Sequence, residues 1–399
     1  MIELRPITAA EGLASATLRG RAFRGRGPTG AQERAATSLP ADHLARTLGV
    51  FEAGGLVATS RSFATRLTLP GPGWVEAGAV SGIAVLPTHR RRGLLRLIMR
   101  RLLDEMRDRG EAVSLLYASE GPIYGRFGYG VGTYQCHLHV ARSRNAFLGS
   151  VPTDGLRMIE PAAAIEQLAA IAAAATSAQP GAVTADAERW RFLVEERPAT
   201  SPDLQVVTRA SGDGFAAYEA DVDFDLSTLA GGTLRLHFLF AHNREAYAAL
   251  WRHCLDVDLI NQVEALGRSA DEPLRHMLAD PRGLQTVVMD GLWVRLVDVQ
   301  AALSARLYAG DGSVVLQVED EFCPWNVGAY EVGPAGCRRV AGEPELAMGI
   351  ETLSACYLGG NRFSAMERAG RITELVPGAA GRADGLFASP IAPWCPYHF

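Results

Sequence analysis

From Gly93 onward the apolar residues fall at Leu94, Leu95, Ile98, Leu102, Leu103 and Met106, the spacing of a helix with one buried face. Gly110 supplies its stop. Ahead of it, residues 56–63 and 74–85 alternate as strands do, and residues 112–118 form a short apolar run suited to a buried strand. Residues 122–128 begin with Pro122 and end with Gly128, which predicts a single helical turn feeding a further strand over 133–140. A composition shift at 141–156 marks a boundary. Beyond it the pattern predicts helices over 162–175 and 185–195, strands near 204–209, 215–222 and 232–240, and a helix over 244–254. From Trp293 a strand leads into a helix, followed by strand-like segments at 313–318 and 326–332 and a helical stretch over 349–357. The layout is mixed α/β, and 399 residues are too many for one ordinary core.

The last thirteen residues, 387–399, carry no formally charged side chain and hold Trp394, Tyr397 and Phe399 between Pro390, Pro393 and Pro396. A tail this apolar and this stiff is expected to be docked. The N-terminus lacks the basic start and apolar core of a signal peptide, and no apolar run is long enough to span a bilayer, so the expected setting is cytoplasmic. The six cysteines have no CxxC or metal-ligand spacing and are expected to be free thiols. His137 and His139 form an HxH pair with no second ligand pair following, so no metal is expected.

Charge changes the picture. The net −5 divides into 20 arginines against 11 acidic residues over 1–150, and 19 against 33 over 151–399. The basic first third predicts an anionic ligand there. There is no lysine, so the chain has no side-chain ammonium of its own to be acylated.

Three of the arginines, Arg90, Arg91 and Arg92, stand where the helix after Gly93 begins. The helix dipole makes cations at that end unfavourable by roughly a few tenths of a kcal/mol each. Two readings follow from the residues: a solvated helix start, or an anion seated on the helix N-terminus with the arginines as charge-assisted partners. Under the second, Gly93 lets the backbone approach a diphosphate closely. The loop has no GxGxxG, and the absence of lysine excludes GxxxxGK[ST].

The stretch Arg90-Arg91-Arg92-Gly93-Leu94-Leu95 resembles the coenzyme A pyrophosphate loop of the GNAT superfamily, with Leu95 where glycine or alanine is usual. Residues 83–96, the run from Ala118 through Tyr124 to Gly130, the segment Asp290-Gly291-Leu292-Trp293-Val294-Arg295 and the terminal phenylalanine together resemble the enhanced intracellular survival (Eis) family of N-acetyltransferases. The resemblance implies tandem GNAT-like domains followed by a sterol-carrier-protein-like C-terminal domain, expected over 1–150, 151–289 and 290–399. It implies acetyl-CoA as cosubstrate, a homo-hexamer, and direct transfer to amines, including several amines of one aminoglycoside. No metal, nucleic acid or membrane partner is implied.

By the same resemblance, Ile83 and Val85 would offer backbone groups to the pantetheine and thioester. Arg90, Arg91, Gly93 and Leu94 would cradle the pyrophosphate, Ser119 would contact the cofactor, Tyr124 would be the general acid, and the terminal carboxylate of Phe399 the general base. The roles fit the chemistry: a phenol of pKa about 10 can protonate a departing thiolate of about 8.5, and burial of an α-carboxyl raises its basicity.

Substrate residues are expected at Phe23, Asp290 and His398, and Asp298 and Glu321 add to the acidic C-terminal portion. The family pattern has acidic and aromatic residues early in the chain and an acid before the terminal phenylalanine. This chain has Phe23-Arg24-Gly25-Arg26-Gly27-Pro28 and His398 instead, which weakens the case for a polycationic acceptor. A protein-lysine, peptide or polyamine acceptor stays open, as does a non-enzymatic binder of coenzyme A or an apolar ligand.

Overall fold

The amphipathic helix after Gly93 runs over Leu94–Asp108, and Leu94, Ile98, Met99, Leu102, Leu103 and Met106 are all buried. Their stripe packs on Leu48, Val50, Val57, Ala58, Val80 and Leu116 of a seven-stranded sheet. Each such side chain contributes about 1.5–3 kcal/mol when fully buried. The sheet and helix belong to the first of two compact units, which holds Met1–Gly132, Leu292–Ala388 and Phe399; the second holds Thr133–Gly291 and Ser389–His398. The computed structural model describes residues 1–24, 33, 36–37, 39–185, 187–191, 193, 203–222 and 231–399.

In the first unit the strands lie in the order Ile2–Pro6, Thr47–Glu52, Gly55–Thr68, Trp74–Val85, Val113–Leu116, Trp293–Leu296 and Gly130–Val131. The first four are antiparallel neighbours. Trp74–Val85 and Val113–Leu116 pair in parallel, with Leu94–Asp108 as their crossover. Val113–Leu116 is buried throughout and requires ladder partners on both edges. Trp293–Leu296 supplies the second one, with Trp293 opposite Leu116 and Leu296 opposite Val113. The strand expected to open the third segment therefore completes the first sheet.

A five-stranded sheet follows in the order Gly336–Val340, Gly328–Gly333, Val314–Glu319, Leu346–Gly349 and Ile372–Glu374, with helices Val299–Ala305, Ile350–Cys356, Phe363–Arg368 and Ala379–Leu386. Arg295 on the first sheet ties to it. Its guanidinium, fully buried, donates to Asp320 Oδ2 at 2.7 Å and to the Phe127 carbonyl at 2.9 Å. Asp320 also accepts from Asn326 Nδ2 and the Cys323 N–H, each at 2.9 Å. A buried ion pair is tolerable when its remaining hydrogen-bonding capacity is met in this way. Asp298 caps the helix Val299–Ala305 by accepting from the Ala301 N–H at 2.9 Å.

The second unit has its own seven-stranded sheet, in the order Leu284–Asp290, Tyr134–Ala141, Ile260–Ser269, Gly232–Ala241, Gly214–Asp221, Gln205–Arg209 and Leu156–Ile159. The strand read at 133–140 as the end of the first segment lies here, because period-two alternation fixes a strand's faces and leaves its sheet open. Compactness thus divides the chain differently from three consecutive segments. Gly232–Ala241 and Ile260–Ser269 pair in parallel across the helix Arg244–Asp256, whose Leu250, Trp251 and Cys254 join the core with Leu234, Leu236 and Ala265. Of the helix expected over 185–195, Ala187–Arg191 is helical, and several of its residues lie outside those described.

Within this unit the tail is docked. Trp394, Cys395 and Tyr397 are buried, the Trp394 N–H donates to the Pro180 carbonyl at 2.8 Å, and its Nε1 donates to the Gly267 carbonyl at 2.7 Å. All six cysteines are free thiols. Among the described residues no helix is long and apolar enough to cross a membrane, and no group of three His, Cys, Asp or Glu could hold a metal ion.

Candidate active site

The strand Trp74–Val85 carries the site. Its parallel pairing joins Ala77–Ala79 to Val113–Leu115 and goes no further. On its other edge the register with Gly55–Thr68 slips between Thr59 and Arg61, opposite Gly82. Gly82 sits at φ 62°, a left-handed conformation that glycine adopts without strain. A glycine bulge of this kind bends a strand and re-aims its backbone. Where the two parallel strands part, a cleft of about 260 Å³ opens, lined on one side by Val80, Ser81, Gly82 and Ile83 and on the other by Leu116, Tyr117 and Ser119. Phe23, Tyr124 and Phe399 complete the lining.

Tyr124 ends the short helix Gly121–Tyr124 and is buried. Its ring meets Tyr129 edge-on, centroids 6.1 Å apart, while Tyr129 is held by a 2.6 Å hydrogen bond to Ser114. Burial, and then the charge of Glu120, raise the pKa of Tyr124 above the ordinary phenol value, so it stays protonated at neutral pH. Phe399, half-buried, sets its ring edge-on against Phe63 and Tyr117, each at 5.3 Å.

At the end of the same strand the chain makes a short 3₁₀ turn, Pro87–His89, and enters the helix at Gly93, φ 79°. The structure sorts the three arginines. Arg92 forms a bidentate pair with Glu52, at 2.9 and 2.6 Å, and His89 adds a 3.0 Å contact to the same carboxylate. Arg90 and Arg91 are exposed and, among the described residues, neither meets a carboxylate. Arg90 Nε reaches only the Val85 carbonyl, at 3.5 Å. Arg91 is held at φ 62°, a conformation costing a non-glycine residue about 1–3 kcal/mol. Left-handed residues in a tight turn aim successive N–H groups into one concavity. The helix has no side-chain cap and no acid in its first turn, so its leading N–H groups lack a side-chain acceptor and suit an anion.

Of the residues expected from sequence, Ile83, Ser119, Tyr124, Phe399 and Phe23 line one cleft, while Val85, Arg90, Arg91, Gly93 and the backbone of Leu94 form the loop that closes the same strand. The Leu94 side chain itself is in the core. Residues 25–28 of the early segment lie outside those described. Asp290 and His398 belong to the second unit, where both address Gln135: its Nε2 donates to the Asp290 carbonyl at 3.1 Å, and its Oε1 lies 3.1 Å from His398 Nε2. Sequence reasoning missed Phe63 and Tyr117, which seat the last ring, and Gly82, whose position inside a strand was the available signal of a bulge.

Known proteins share this architecture. A sequence profile described as an acetyltransferase (GNAT) domain matches residues 3–132, a second of the same description matches 181–296, and a sterol carrier protein domain matches 299–396. An N-acetyltransferase of Streptomyces avermitilis, not otherwise characterised, is 39% identical over 367 residues, 89% of each chain. N-acetyltransferase Eis of Mycobacterium tuberculosis is 34% identical over 341 residues, 82% of this chain and 81% of the relative. The chain belongs to the Eis family. The crystal structure of Eis1 from Mycobacterium abscessus covers all of both chains at 36% identity with a TM-score of 0.89. The family's fold is also seen in a GCN5-related N-acetyltransferase from Anabaena variabilis, at 16% identity and a TM-score of 0.85. This Eis-family chain is a GNAT-type N-acetyltransferase, with two GNAT domains and a sterol-carrier-like domain, and it moves acetyl groups onto amines.

Proposed function

We propose that the first unit binds acetyl-CoA through Arg90, Arg91 and the N–H groups at Gly93 and Leu94, and transfers the acetyl group directly to an amine in the cleft. The observation that carries this reading is the continuity of one strand. Its end is an uncapped helix entry with two arginines that meet no carboxylate among the described residues, and its bulged stretch lines a cleft shared by Tyr124 and the chain terminus. Ile83 and Val85 offer backbone groups to the pantetheine arm, and Ser119 borders it.

In the transfer the neutral amine attacks the thioester carbon. The amine nitrogen's proton passes to the Phe399 carboxylate, the C–S bond breaks, and the departing thiolate takes the Tyr124 proton. The products are an N-acetylated amine and free coenzyme A, and the proton taken up by Phe399 returns through solvent to the Tyr124 phenolate. Burial keeps Tyr124 protonated at neutral pH, so the proton it is proposed to give is present. Aminoglycosides are the acceptors carried over from the resemblance. Against a polycation, the described lining residues include no acidic side chain, leaving the terminal carboxylate as the one anionic group among them.

Assembly as a homo-hexamer is part of the same proposal. Val287, Val288 and Met289 are exposed along the edge strand Leu284–Asp290, and apolar edges of this kind favour association. A reducing, cytoplasmic setting agrees with six free thiols.

The test is thiol release from acetyl-CoA over a panel of amines, on the wild type and on a variant with one residue appended after Phe399. Activity on an amine that is lost on extension supports the mechanism; undiminished activity on extension removes the terminal carboxylate from it.

A further inference from the structure

Resting on the transfer reading above, we infer that the acceptor is a compact amine that carries its own carboxylate, recognised by Arg19 at the Gly82 wall of the cleft. Arg19 lies on the helix Gly12–Arg24. That helix covers the face of the first sheet that shows Thr59 and Ser81, while Ala58 and Val80 face the core beneath Leu94–Asp108. The Arg19 stem lies across Gly82: a Cβ there would stand 2.4 Å from Arg19 Cδ. Gly82 itself lines the cleft, so its missing side chain leaves the Arg19 stem directly behind that wall.

Arg19 is anchored and uncompensated. Its Nη1 donates to Ser15 Oγ at 2.7 Å, and Ser15 in turn lies 2.8 Å from Thr59 Oγ1, both hydroxyl residues being fully buried. Among the described residues that is its one hydrogen-bond partner, and no carboxylate reaches it. Arg61, in register opposite Ser81 and so on the same face, stands close enough to repel it. Burial, and then repulsion by Arg61, lower the pKa of Arg19 to about 10. A half-buried arginine is ordinarily matched by a carboxylate, since desolvating an unpaired charge is costly. Here the hydroxyl chain fixes a fork-shaped donor for which the described residues supply no carboxylate, and a ligand carboxylate fits that fork bidentately.

The rest of the cleft describes the remainder of the molecule. Phe23, Leu116, Tyr117, Tyr124 and the ring of Phe399 offer an apolar, largely aromatic surround, suited to an apolar body. The Phe399 carboxylate attracts the ammonium before it loses its proton. A zwitterion with positive and negative ends on one short frame matches Arg19 and the terminal carboxylate, whereas a polycation meets Arg19 unfavourably.

The test compares amines that differ only in a carboxylate: phenylalanine with phenethylamine, and δ-aminovalerate with pentylamine. In the wild type the carboxylated member of at least one pair should be preferred in kcat/KM by about tenfold or more, as expected for a hydrogen bond between charged groups. Arg19→Gln should abolish the preference through KM, and Arg19→Lys should restore part of it. Hydrocinnamate, which has no amine, is titrated calorimetrically into protein saturated with coenzyme A. It should bind the wild type and lose affinity in Arg19→Gln, with coenzyme A affinity reporting that the variant is folded. Preference for the uncarboxylated amines or for kanamycin, or equal hydrocinnamate binding in wild type and Arg19→Gln, overturns the inference. Arg19-dependent hydrocinnamate binding with no amine acetylated upholds the carboxylate site and overturns the transfer reading instead.

Discussion

The molecule contains one structural unit twice, a strand, a crossover helix and a parallel strand, and the two copies differ where an anion would bind. In the first unit the helix Leu94–Asp108 starts at Gly93 with no cap and no early acid. In the second, Arg244–Asp256 starts with Asn243, whose Oδ1 accepts from the Ala246 N–H at 2.8 Å, and carries Glu245 in its first turn. The parallel strands part in both copies. In the first the gap is a cleft. In the second, pairing stops after Leu236 and Ala265, and the protein fills the space beyond with its own groups. Arg268, buried and paired with Glu272 at 3.0 Å, donates to the Leu239 carbonyl. Trp394 bonds Gly267, and Tyr397 stacks on Phe240 at 5.9 Å. The same backbone plan is a binding site when its orphan donors are left open, and a scaffold when side chains satisfy them.

The strongest way to sharpen that comparison is to change the tyrosine proposed as the acid in the open copy. Tyr124→Phe should lower kcat by about 10²–10⁴, the usual contribution of a positioned proton donor, while acetyl-CoA affinity measured by calorimetry is unchanged. A smaller effect belongs to the closed copy. Asn243→Ala should cost about 0.5–2 kcal/mol of stability through loss of the cap, read as a lower urea midpoint, with acetyl-CoA affinity untouched. A change in cofactor affinity there would mean that the second helix entry is also in use.

The smallest effect concerns the arginine spent on structure. The hydrogen bonds from Arg92, with His89 adding to them, hold Glu52 at about 2, below an ordinary 4.5. The ionised form is the one favoured in the fold, so its contribution is present above pH 4.5 and is lost as pH falls toward 2. Arg92→Gln should flatten that stretch of a Tm-against-pH curve and lower Tm at neutral pH by the same small amount, since exposed pairs contribute little.

The helix and its loop were legible in the sequence because their signals are local: a 3.6-residue apolar period, a glycine, and three arginines in a row. The residues alone did not separate the three arginines, and only the resemblance picked Arg90 and Arg91, because Glu52, which takes Arg92, lies on a strand forty residues away. The docked tail could be read from its uncharged, proline-stiffened composition, and Trp394, Cys395 and Tyr397 are buried accordingly. The division into units could not. Trp293–Leu296 joins the first sheet by pairing with Val113–Leu116 and Gly130–Val131, and nothing in four residues names partners so distant in the chain. Arg19 escaped notice for the same reason: its meaning comes from Gly82, Ser15 and Arg61 being gathered around it by the fold.

The most direct measurement is a calorimetric titration of acetyl-CoA into the wild type and into the double variant Arg90→Ala, Arg91→Ala. The account predicts one equivalent bound per chain, with affinity reduced by about tenfold or more in the variant as charge-assisted bonds to the diphosphate are lost. Two equivalents per chain, or an affinity that survives both substitutions, would contradict it.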